Sequence, residues 1–259
     1  IASGEVDEGF YGIYRSTDAG LNFTLMSNSP NILGYYTDGS DAGGQGYYDL
    51  TIAVSPTNES EVYAGGINLW KSTNGGVNWN AITYWVFGGG YPYVHADQHE
   101  LEFFGTTLYA GCDGGIFKSA DAGANWTDIS SGMQIMQIYR IGADAKSSNL
   151  IMAGAQDNGS NRMLNTAWTH VMGGDGMECA VNWNNNQTVY ATSQYGALNK
   201  STNQGSSFFD IAPVSDGGWI TPFLLNPLNP NTIYAGYLNV HKSTNQGTTW
   251  SDISSTVAF

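Results

Sequence analysis

This 259-residue chain is short of cationic side chains: eight Lys and Arg stand against 22 Asp and Glu, a formal net charge of −14. Nucleic acids and anionic bilayer surfaces are held by basic patches, so neither nucleic-acid binding nor membrane-surface attachment is expected. The balance leaves divalent cations and cationic partners open. Cysteine is nearly missing as well. Cys112 and Cys179 do not make a disulfide framework, and their places in different repeats predict two buried free thiols. No apolar run approaches the roughly 20 residues of a membrane helix, which predicts no membrane insertion. No secretory leader opens the chain, so any export signal is expected to have been removed or to lie outside it. Helical periodicity of useful length is lacking too. Charged residues make up only 12% of a chain rich in Gly, Ser, Thr, Asn and Tyr. That composition is common in secreted bacterial β-repeat proteins and predicts an extracellular or cell-surface location.

What the chain does have is a repeat. Five copies of one motif begin at Ser16, Ser72, Ser119, Ser201 and Ser243, and read from Ser16-Thr17-Asp18-Ala19-Gly20-Leu21-Asn22-Phe23 to Ser243-Thr244-Asn245-Gln246-Gly247-Thr248-Thr249-Trp250. Asp or Asn accepts bonds from nearby backbone N–H groups, Gly supplies a positive φ, and the aromatic three residues on begins the next strand. Each motif is therefore a hairpin tip. First Ser to first Ser, the steps are 56, 47, 82 and 42 residues, so the long one hides a degenerate unit. Trp168-Thr169-His170-Val171 fits the strand after its lost motif, with 163–167 as the shortened turn. Six repeats of four short strands are predicted. Paired segments such as Ile52–Pro56 with Glu61–Gly65, and Phe223–Pro227 with Thr232–Gly236, supply the first two strands of a unit.

The pattern Ser-x-Asp/Asn-x-Gly-x-x-aromatic resembles the Asp box, or BNR repeat, which sialidases, xyloglucanase-type glycoside hydrolases and sortilin-type receptors carry on β-propellers. The resemblance implies an all-β fold, a β-propeller or propeller segment of about six four-stranded blades, with the boxes between strands three and four. Residues 1–259 are expected to form a single propeller domain of a longer chain. The chain opens in what reads as a second strand (1–5), and 256–259 are barely long enough to supply the strand missing from the first blade.

Successive turns of an antiparallel meander alternate between its ends, so the boxes should share one end and the turns between strands two and three the other. The lead-ins to first strands fall at that second end, where loops converge and ligand sites are expected. The lead-ins carry Asp49, His95-Ala96-Asp97-Gln98-His99-Glu100, Asp175-Gly176-Met177-Glu178 and Asp216-Gly217-Gly218-Trp219. The turns carry Asp7 and Glu8, Asp113-Gly114-Gly115, Gln156-Asp157-Asn158-Gly159 and Gln194-Tyr195.

Four chemistries are expected or weighed at that end. Paired-carboxylate glycoside hydrolysis needs one protonated and one ionised carboxyl about 5 to 10 Å apart. Cys112-Asp113-Gly114-Gly115 is similar to the acid-bearing turn of xyloglucanase-type enzymes, which makes Asp113 with Asp157 or Asp175 the candidate catalytic set. Metal binding would use His95, Asp97 and His99. On a straight strand the first and third lie about 13 Å apart, so a bulge would have to gather them around Zn²⁺, with Asp113 or Glu178 completing the shell. Ca²⁺ among the Asp-rich turns is the other candidate ion. Sialidase chemistry is excluded, because a three-arginine clamp cannot be built from Arg15, Arg140 and Arg162. Ligand recognition would use Asp97, Gln156, Glu178, Gln194, Tyr195 and Trp219, with the aromatics Trp85, Tyr91 and Tyr93 of the long connections. The reading chosen is a recognition module for a glycan or protein ligand on the end opposite the boxes. A glycoside hydrolase and a structural scaffold are the alternatives.

Overall fold

The box motif works as a closed hydrogen-bond unit. In the second copy Ser72 is fully buried. Its Oγ donates to Asn74 Oδ1 (3.0 Å) and accepts from the Gly76 N–H (2.9 Å), while Asn74 Oδ1 accepts from the Asn78 N–H (2.9 Å). The same bonds recur about Ser16, Ser119, Ser201 and Ser243. Two successive residues take positive φ at every tip, such as Gln246 (59°) and Gly247 (84°). Such a tight reversal joins adjacent antiparallel strands.

The computed structural model describes residues 1–4, 6–133 and 135–254; the expected closing segment 256–259 lies outside them. The fold class is all-β and propeller-type, six consecutive antiparallel meanders. The first sheet has three strands, Ala2–Ser3, Phe10–Arg15 and Thr24–Ser27, and the others have four each. The third, for example, runs Gln98–Phe104, Thr107–Cys112, Gly115–Ser119 and Thr127–Asp128. As expected, every box joins the last two strands of its sheet. The degenerate repeat forms the fourth sheet, where Asn165 and Thr166, both at positive φ, turn Gly159–Leu164 into Ala167–Met172.

The chain divides into two compact units, Ile1–Gln134 and Ile135–Phe259, of three sheets each. Within each, the apolar cores lie between consecutive sheets. In the first unit Ile13 meets Val62, Trp70 and Trp79, and Tyr63 and Leu69 meet Leu101, Leu108 and Phe117. In the second, Leu150 and Met152 meet Cys179 and Val189, and Tyr190 and Leu198 meet Phe223 and Ile233. Each such side chain, fully buried, contributes about 1.5–3 kcal/mol.

The boxes are also the joints between sheets. Trp79 of the second box donates its indole N–H to Ser27 Oγ of the first sheet (3.0 Å), and that hydroxyl donates to Gly76 O (2.7 Å). A Cβ on Gly247 would sit 2.4 Å from Ile211 Cδ1, a side chain that follows the fifth sheet's last strand, whereas one on Gly20 of the first box meets nothing within 4 Å. Glycine therefore serves twice at these tips, for its φ and for the close approach.

Candidate functional site

Register fixes which end of each sheet holds the unusual residues. In the third sheet Gln98 pairs with Cys112 and Gly115 with Cys112, while Ser119, which opens the box, pairs with Leu108 at the other end. In the fifth, Gly176 pairs with Ser193 and Ser193 with Ala197, away from the box at Ser201. The lead-ins and the turns between strands two and three thus share the end away from the boxes, in each sheet where all are present.

In the first unit that end gathers carboxyls. Asp49 is fully buried. Gln45 Nε2 donates to Asp97 Oδ1 at 2.7 Å and reaches Asp49 Oδ2 at 3.5 Å, but Asp49 Oδ1 has no donor facing it. A proton held on Asp49 relieves the repulsion between these two carboxyls. Burial first, and then the Asp97 charge, push the Asp49 carboxyl up to about 8. Asp97, in left-handed backbone at φ 65°, is also raised, by burial and then by Asp113. Asp113 in turn accepts from Tyr48 OH (2.7 Å) and sits 2.6 Å from His99 Nε2, with the Tyr48 and His99 rings edge to face at 4.9 Å. A bulge does lie between Gln98 and Glu100, yet His99 is paired with Asp113 while Asp97 accepts from Gln45. Gly114 lies against the His95 imidazole, where a Cβ would come within 2.3 Å of the ring. Among the described residues no three His, Cys, Asp or Glu side chains form a metal-ligand set, so His95, Asp97 and His99 are not brought together as one.

The aromatics of the long connections separate into two roles. Tyr93 is stacked on Phe87 (3.7 Å between centroids, 13° between planes) and packs against the core beside Phe117. Trp85 and Tyr91 stay partly exposed, and the Trp85 indole N–H donates to Tyr35 O (3.2 Å).

In the second unit the same end carries a connected array. The Asp157 N–H donates to Asp175 Oδ1 (2.9 Å), and the Asp175 N–H donates to Gln194 Oε1 (3.0 Å), joining turns of the fourth and fifth sheets. The Trp219 indole N–H donates to Tyr139 OH (3.2 Å), whose own hydroxyl donates to Gln156 Oε1. Tyr195 meets Trp219 edge to face, with centroids 5.3 Å apart and planes at 80°. Beside Tyr195 opens a depression of about 610 Å³ reaching Asn199, Asp210 and Ser215. Glu178, raised by burial and opposed by the Arg140 charge, lies 3.5 Å from Arg140 Nε. Gln156, Asp157, Asp175, Gln194, Tyr195 and Trp219 are therefore linked as a group. Gln45, the contacts of Tyr48 and Tyr139 and the proton-holding role of Asp49 were not foreseen from sequence; only Asp49's place at a lead-in pointed there. Both cysteines are free thiols, pushed up to about 12 by burial.

No family model and no curated protein matches the chain. Among solved structures it is similar to a GH74 enzyme of Niastella koreensis (15% identity, 95% of this chain and 55% of that one, TM-score 0.34). It is similar to the GH74 xyloglucanase of Xanthomonas campestris (16%, 95% and 42%, TM-score 0.38) and to YCF48 bound to D1 peptide (12%, 86% and 68%, TM-score 0.32). The chain spans about half the length of those GH74 proteins. At these values the likeness says nothing of substrate, activity or partner.

Proposed function

We propose that the protein is a secreted or cell-surface recognition module that binds a glycan or protein ligand at the end of its sheets opposite the boxes. The observation that carries this reading is the second unit's linked array, in which exposed rings (Tyr195, Trp219) stand beside a hydrogen-bonded polar set from two sheets (Tyr139, Gln156, Asp157, Asp175, Gln194). Apolar faces beside fixed polar groups are what ligand sites offer. The carboxyls favour hydrolysis less. Asp113 is engaged by Tyr48 and His99, Asp175 accepts a backbone N–H, and Asp49, the acid with a strongly raised pKa, is buried out of reach of substrate.

The test is a binding array of glycans and extracellular peptides, probed with the whole chain and with a Gln156→Ala/Trp219→Ala variant. Retention of at least one ligand class, lost in the variant while its melting curve is kept, is the expected result. An array without signal, or one that the variant leaves unchanged, overturns the proposal.

A further inference from the structure

We infer that the Tyr195–Trp219 corner and the depression beside it take an uncharged pyranose, a sugar that presents a flat C–H face. This deepens the recognition reading above and rests on it. Four observations converge on it.

The first is the backbone of Tyr195. It sits at φ 59°, ψ 29° inside the short turn Gln194–Gly196, a conformation that a bulky residue adopts only under constraint. The constraint is visible: the Tyr237 hydroxyl donates to Gly196 O, and Gly196 lies so close to the Tyr237 ring and Gly217 that a Cβ there would clash with both. Yet the Tyr195 ring is 61% exposed, so little burial offsets the strain. The turn holds an aromatic face out to solvent.

The second is the presentation of Trp219. Its N–H is spent on Tyr139, which is held in turn by Gln156. What the indole offers a ligand is its face, and the tether limits the freedom lost when that face is covered. With the rings at 80°, the two make a right-angled wall that fits a rigid ring better than an extended chain.

The third is polarity beside the wall. Asn199, Asp210 and Ser215 line the depression next to Tyr195. The Asn199 amide donates to Ala197 O, and one Asp210 oxygen accepts from the Ala212 N–H, which pins their geometry while leaving further acceptor and donor capacity for hydroxyls.

The fourth is charge. Asp157, Asp175, Glu178, Asp210 and Asp216 border this end of the unit, and Asp210 and Asp216 both help raise the Tyr237 phenol. The cation of this region, Arg140, is engaged by Glu178 and by Tyr139 O. The excess of carboxylates along this border repels an anionic sugar, whereas a neutral one is indifferent to it.

Calorimetric titration of the whole chain with cellohexaose, mannohexaose and hexagalacturonate tests the inference, with tryptophan emission as a second readout. At least one neutral hexasaccharide is expected to bind and hexagalacturonate not to bind. Trp219→Ala should weaken the neutral ligand about tenfold. Tyr195→Gly should weaken it similarly without lowering the melting temperature, since glycine accepts the turn. Failure of both neutral sugars to bind, preference for the anionic one, or binding that both variants leave intact overturns the inference. If the array shows a peptide or an anionic glycan lost in the Gln156→Ala/Trp219→Ala variant while neutral sugars do not bind, this inference falls and the recognition reading stands. An array without signal sinks the broader reading.

Discussion

At the scale of single residues, the Asp49–Asp97 pair has the most direct physical consequence. A buried carboxyl raised to about 8 keeps in the folded chain a proton that the unfolded chain releases near pH 4. Between those two values the folded state binds more protons, so stability falls as pH rises across the window, and the whole cost is felt above it. Asp49→Asn removes the group and keeps the shape. The variant is expected to exceed the parent by at least about 1 kcal/mol at pH 8 and to lose most of that advantage at pH 4, as denaturant titrations at the two pH values would register. A parent whose stability is flat from pH 4 to 8 would contradict the proton held on Asp49.

At the scale of the element, the box hairpin separates two uses of glycine that usually occur together. Gly20 and Gly247 both have positive φ, but only Gly247 has a neighbouring core side chain, Ile211, where a methyl group would go. Gly20→Ala should cost about 1–2 kcal/mol for the backbone alone. Gly247→Ala should cost that and a further 1–3 kcal/mol for overpacking, and thermal melts of the two variants side by side would show the difference. Equal losses would mean that the joint yields freely. The hairpins themselves were legible from sequence, because Ser, Asp or Asn, Gly and an aromatic each perform a local task, and the one doubled step in their spacing then counted the sheets. So was the end of its own sheet at which each of Asp97, Asp113, Gln156 and Asp175 lies, since it follows from the alternation of turns. Partners were not legible. Tyr48 reaches Asp113 across 65 positions from a glycine-rich connection with no period to read. Nor do Ala19, Ala122, Gln204 or Gln246 announce the left-handed backbone that each adopts beside its glycine. Tyr93 looked in sequence like its exposed neighbours, and only its contact with Phe117 shows that it packs against the core.

At the scale of the whole molecule, 22 acidic against eight basic residues make self-repulsion the dominant long-range term. Among the described residues two pairs with a Lys or Arg cation oppose it, Lys71–Glu61 and Arg140–Glu178. Raising NaCl to about 0.5 M screens charges beyond a few ångströms, so the melting temperature at pH 8 should climb by several degrees and scanning calorimetry should record it. A falling melting temperature would mean that local pairs outweigh the global charge. Within each unit the hydrogen-bonded box tips stand at one end of their sheets, and the loops that carry the polar and aromatic groups stand at the other. Exposed side chains on those loops, Tyr195 and Trp219 among them, can therefore be exchanged with the bonds at the boxes left intact, which makes each sheet a chassis on which new specificities can be grafted while the framework beneath stays the same.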